Sequence, residues 1–133
     1  FLRELTKDKK LKKLKLKIKG RDFIISNFYD GIAKFDFKDL CDKNTGAEDY
    51  IKIAEICKFV IIQNIPNFNE VNSNQQQRFI TLIDIFYEKK VSLLISSETN
   101  LEKITSSISL VNPFRRTLSR LFELTSPNDN FLI

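Results

Sequence analysis

The stretch from Phe59 to Ser97 constrains the fold of this chain more than any other, because it reads as strand, helix, strand. Phe59-Val-Ile-Ile-Gln63 is a short apolar run rich in β-branched residues, with Asn64 and Pro66 as its expected stop. Gln75 to Lys90 is amphipathic at helical spacing, with Phe79, Leu82, Ile83 and Phe86 on one face. Val91-Ser-Leu-Leu-Ile95 is a second buried strand, expected to end at Ser96-Ser97. A helix between two such strands predicts parallel pairing with a right-handed crossover.

The residues before this unit follow a different period. Leu14, Leu16 and Ile18 alternate with lysines, as a half-buried strand does. Gly20-Arg21 fits a two-residue hairpin turn, and Asp22 to Ser26 returns as a second strand. Asp30-Gly31 marks a second turn. Ala33, Phe35 and Phe37 then alternate with Lys34 and Asp36 as a third strand. Residues 14–37 are therefore expected to form an antiparallel meander. Phe37 to Cys41 reads as one helical turn, broken by Asn44-Thr-Gly46. Ala47 to Lys58 reads as a helix, with Tyr50, Ile53, Ala54 and Cys57 on its apolar face. Asn67 to Asn74 is a polar loop. After the second buried strand, Thr99 to Ser106 is expected to form a short helix. A last helix starts at Asn112-Pro113, with Asn as cap and Pro in the first turn, and runs to Leu124. The sum is one α/β domain over residues 14–133, behind a basic lead-in over residues 1–13.

At 133 residues the chain is long enough for a real core, and no apolar run approaches the roughly 20 residues that span a bilayer. The N-terminal residues lack the apolar region of an export leader, so Cys41 and Cys57 are expected to be reduced thiols. The chain contains no histidine, which excludes a His-based triad or general base within it. It contains no methionine and begins at Phe1, and is expected to be a piece of a longer protein. Residues 1–19 carry a net charge of +7 against +5 for the whole, so the basic character belongs to the lead-in. A lysine run at 7–19 suits phosphates of nucleic acid or an anionic membrane surface. Its alternation with leucine, and the lack of aromatic residues between Lys7 and Lys19 to stack on bases, favour a solvated strand face instead.

A phosphate-binding loop is absent, since none of Gly20, Gly31 and Gly46 opens a G-x-x-x-x-G-K-[ST] pattern. The buried run at Phe59 ends in neutral Gln63-Asn64 rather than in carboxylates for Mg2+. The last helix carries the strongest functional signal. Arg116, Ser119, Arg120 and Glu123 share one face, and Phe114, Leu118, Leu121 and Phe122 another. Two arginines at i, i+4 repel by about 0.2–0.5 kcal/mol unless anions sit nearby. Either Glu123, Asp84 or Glu88 pairs with them, or they face phosphate or an acidic neighbouring surface. Arg78 has the same two readings.

Five blocks then stand in order: Phe37-x-x-Leu40-Cys41; Gly46-Ala47-x-Asp49-Tyr50; Ile65-Pro66; Arg78-Phe79-Ile80-x-Leu82-Ile83-Asp84 with Tyr87; and Phe114-x-Arg116-Thr117-x-Ser119-Arg120-Leu121. Together with Gly20-Arg21 they resemble the carboxy-terminal part of the ZapE/AFG-type ATPases, P-loop ATPases of the AAA+ class, over residues 18–126. The chain departs mildly from the family, with Gln77-Arg78 for paired arginines, Phe86-Tyr87-Glu88 for Leu-Tyr-Asp and Glu123-Leu124 for Glu-Met. The family's P-loop and Mg2+ site lie upstream and are missing. The resemblance implies a P-loop NTPase-related α/β fold. It also implies ATP and Mg2+ for the full-length protein, with neither bound by this piece alone. Implied partners are the rest of its own ATPase chain, further copies in a homo-oligomer, and a division or membrane-associated protein, rather than nucleic acid. The implied place is the cytoplasm, peripheral to the membrane, with a role in cell division or protein quality control. Arg116, Arg120 and Arg78 become the residues expected to sense nucleotide or contact a neighbouring subunit. A stand-alone interaction module, and a basic module for nucleic acid or membrane surfaces, are the competing readings.

Overall fold

A computed structural model describes residues 12–18, 21–29, 31–41 and 45–125. Its five strands lie in the order they occur in the sequence: β1 (Lys12–Ile18), β2 (Arg21–Tyr29), β3 (Ile32–Asp36), β4 (Phe59–Ile65) and β5 (Ser92–Ser97). β1, β2 and β3 pair antiparallel, as the alternation predicts. β3, β4 and β5 pair parallel, through Ala33 with Val60 and Val60 with Leu93. β3 therefore closes the meander and opens the parallel part. Ile18 pairs with Arg21, so Arg21 is a strand residue rather than half of a turn, while Gly20 lies outside the described residues. Tyr29 pairs with Ile32, which leaves Asp30-Gly31 as the connection, and Gly31 takes φ +87°. That left-handed backbone suits glycine. The Gly31 carbonyl accepts both Lys58 N–H at 2.8 Å and Phe59 N–H at 3.1 Å, which fixes where β4 begins.

Among the described residues four helices complete the domain: α1 (Phe37–Cys41), α2 (Ala47–Ile56), α3 (Ser73–Glu88) and α4 (Val111–Thr125). α1 follows β3 at once, because Asp36 Oδ1 accepts Lys38 N–H at 3.1 Å and turns the chain. α2 stops at Ile56 rather than Lys58, since Cys57 is already extended on the way to β4. β4 runs through Asn64 to Ile65, where a stop was expected. Asn64 adopts φ 63° at a register shift between Ile62 and Ile65, a conformation its short polar side chain tolerates. β5 likewise includes Ser96 and Ser97. Ser96 Oγ accepts Asn64 N–H at 3.0 Å, so the serines complete the pairing instead of ending it.

The helix expected over Thr99 to Ser106 shrinks to one 3-10 turn, Leu101–Lys103. The segment is closed into a loop by Asn67, whose Oδ1 accepts Thr105 N–H at 3.1 Å and the Thr99 hydroxyl at 3.2 Å. A second 3-10 turn, Ile108–Leu110, leads straight into α4, so Asn112 lies inside the helix and does not cap it. Pro113 does sit in the first turn.

The main core cluster lies on one face of the sheet, and Phe59 and Ile61 are buried on the other. Ala33, Phe35, Val60, Ile62 and Leu93 pack against Tyr50 and Ile53 of α2, Phe79, Leu82, Ile83 and Phe86 of α3, and Phe114 and Leu121 of α4. Its centre is aromatic. Phe68 lies 5.7 Å from Phe37, 5.8 Å from Phe79 and 5.5 Å, edge-on, from Phe114, measured between ring centres. The predicted face of α4 needs one correction. Phe122 is 45% exposed, and buried Thr117 takes the inward position, with its hydroxyl donating to the Pro113 carbonyl at 3.2 Å.

Candidate functional site

The surface between α3 and α4 brings the expected arginines together. Asp84 and Tyr87 stand one turn apart on α3, and Arg116, Arg120 and Glu123 follow one another along α4. Asp84 Oδ2 receives Arg116 at 3.4 Å, and its Oδ1 accepts a hydrogen bond from Arg120. The Arg120 guanidinium also lies over the Tyr87 ring, 4.7 Å from its centre. The Tyr87 phenol is hydrogen-bonded to Glu123, whose carboxylate raises its pKa above the ordinary value. Of the three acids expected to pair with the arginines, Asp84 takes both. Glu123 instead serves the tyrosine.

This geometry answers the repulsion between two arginines one turn apart. The single carboxylate of Asp84 lies between them, and the π-face of Tyr87 takes part of the charge of one. Tyr87 was legible in the sequence only as part of a block. The signal that would have found it is its i+3 spacing from Asp84, which places ring and carboxylate on one helix face.

Arg78 is elsewhere. Its Nη1 donates to the Cys41 carbonyl at 3.1 Å, closing the C-terminal end of α1. The same end is held by the Tyr50 hydroxyl, which donates to the Leu40 carbonyl at 2.6 Å. Arg78 thus ties α3 to the end of α1, Tyr50 ties α2 to the same end, and Arg78 stands outside the arginine pair.

A second polar feature opens at the C-terminal ends of the parallel strands, where open α/β sheets commonly bind ligands. A cleft of about 650 Å3 is lined by Asp36, Asn64, Asn72, Gln75 and Glu98 among others. Asn64 Nδ2 donates to Asp36 Oδ2 across it at 2.7 Å. Among the described residues, no three His, Cys, Asp or Glu side chains gather as a metal site.

Both cysteines are buried, and neither is in a disulfide. Burial pushes the Cys57 thiol up to about 12 from an ordinary 9.0. A raised thiol pKa means that the native state keeps its proton while the unfolded chain loses it. Stability is therefore expected to fall as pH climbs from 9 towards 12. Urea midpoints across that range check this: Cys57→Ala should flatten the slope, and an unchanged slope would place the thiol in contact with solvent.

No helix among the described residues is long and apolar enough to cross a membrane. No solved structure matches the chain. Lactation elevated protein 1 homolog B of Danio rerio is 33% identical over 109 residues, which are 82% of this chain and 22% of that protein. Cell division protein ZapE of Escherichia coli K12 is 34% identical over 90 residues, 68% of this chain and 24% of the relative. The chain thus spans about a quarter of the length of the relatives it matches. The AFG1-like ATPases match over residues 1–130, so the chain belongs to the AFG1-like ATPase family.

Proposed function

We propose that this chain is the carboxy-terminal portion of a ZapE-like AAA+ ATPase, and that it contributes the arginine face of α4 to ATP hydrolysis by the full-length protein. The observation that carries this reading is the pairing of Arg116 and Arg120 on one side of α4, over a carboxylate and an aromatic ring, in a chain with no phosphate-binding loop of its own. Phosphoryl transfer spreads negative charge over the oxygens of the moving group, and a guanidinium held nearby stabilises it. ATP and Mg2+ bind through residues outside this chain. The α4 arginines act on that nucleotide from the same protomer or from the next one in a homo-oligomer. ZapE carries its role in its name, cell division, and we extend that role, or one in protein quality control, to this protein. It acts in the cytoplasm, peripheral to the membrane, on a division or membrane-associated partner.

The test is the double variant Arg116→Ala/Arg120→Ala in the full-length protein. Its ATP turnover is expected to fall tenfold or more, about 1.4 kcal/mol in barrier height, with an unchanged circular dichroism spectrum. Wild-type turnover in a folded double variant would remove α4 from the ATPase cycle.

A further inference from the structure

Arg116 and Arg120 share Asp84 on unequal terms. The Arg120 side chain is 24% exposed and bound on two sides, by Asp84 Oδ1 and by the Tyr87 ring. The Arg116 side chain is 57% exposed, and its one ion pair among the described residues is the 3.4 Å contact with Asp84 Oδ2. An ion pair that open is weak, because water screens it. A guanidinium stacked on an aromatic face is held by the ring as well as by its charge pairing. An arriving oxyanion therefore draws Arg116 off Asp84 at little cost, while Arg120 stays.

We infer that Arg120 is a positioning residue, clamped by Asp84 and Tyr87, and that Arg116 is the residue that leaves Asp84 to contact a nucleotide phosphate. This rests on the reading of α4 given above and divides the work between its arginines. Arg120 neutralises Asp84 after Arg116 has gone. Without Arg120, the whole carboxylate charge would hold Arg116 back and repel the incoming phosphate. Arg120 so acts through its neighbour and not on the ligand.

The experiment uses the full-length protein, with steady-state ATP turnover and calorimetric affinity for a non-hydrolysable ATP analogue as two readouts. Arg116→Ala is expected to lose tenfold or more in turnover, and Arg120→Ala about threefold. Analogue affinity should fall in the same order. Adding Asp84→Asn to Arg120→Ala should recover most of the loss, because the carboxylate that traps Arg116 has gone. A purely structural Arg120 predicts the opposite, since the second substitution would add damage. A larger loss in Arg120→Ala than in Arg116→Ala, or no recovery with Asp84→Asn, overturns the division of labour and leaves the α4 reading standing. Wild-type turnover in both single variants overturns both. Where Arg120→Ala melts below the assay temperature, Arg120→Lys replaces it, keeping the charge and losing the planar stack, with the same order expected.

Discussion

Truncating Phe79 to alanine is expected to destabilise the domain by about 3–5 kcal/mol, and so to come close to unfolding it. Phe79 is fully buried and lies 5.8 Å from the ring of Phe37 and 5.8 Å from that of Phe68, with Phe114 beyond. These rings come from the start of α1, the loop after β4, α3 and α4. Removing the one on α3 opens a void that helices anchored to a sheet cannot close. Urea unfolding of the isolated domain would read the loss directly. A cost below about 1 kcal/mol would mean that the site collapses, and that the rings pack independently of one another.

The second large effect falls on a polar residue. Gln76 is fully buried, its Oε1 accepting Ser107 N–H at 3.0 Å and its Nε2 donating to Ser106 Oγ at 2.6 Å. Gln76→Leu keeps most of the volume and leaves the buried Ser107 N–H without its acceptor. The expected cost is about 1–3 kcal/mol. The damage should be local as well as global, because Ser107 opens the 3-10 turn that feeds α4. Limited proteolysis should cut the variant first between Thr99 and Leu110. A stability within about 0.5 kcal/mol of wild type would show that another group takes over the Ser107 N–H.

Gln76 also shows where sequence reasoning stops. In the run Gln75-Gln76-Gln77 helical spacing puts Gln76 in line with Phe79 and Ile83, but nothing local shows that Ser106 and Ser107 would supply its buried partners. The apolar periodicities were sufficient for the strands, for α2 and α3, for the antiparallel meander and for the parallel pairing of β4 with β5, whereas the parallel pairing of β3 with β4 came from the structure. Each of those signals repeats along its own element. The misreadings cluster where a distant partner decides. Asn64 looked like a strand stop because its amide pairing to Ser96 comes from another strand. Thr99 to Ser106 looked helical because the Asn67 side chain that closes it into a loop lies more than thirty residues earlier. Phe122 was assigned to the apolar face by its identity, and Thr117 faces inward in its place. Of the candidate site, the arginines could be read from spacing, and their acidic partner was narrowed to Glu123, Asp84 or Glu88. The stacking of Tyr87, and the diversion of Arg78 to the Cys41 carbonyl, needed the crossing of two helices and the end of a third.

β3 is paired on both edges, antiparallel on one side and parallel on the other. Its antiparallel partner precedes it by a single tight connection, whereas its parallel partner arrives only after α1 and α2 have been made. During synthesis the meander can form while the far edge of β3 still presents unpaired N–H and C=O groups, next to the apolar Ala33 and Phe35. That interval exposes the chain to self-association. Burial of Ala33 and Phe35 ends it only when β4 docks with its helices, which makes the speed of that crossover a determinant of yield as much as of structure.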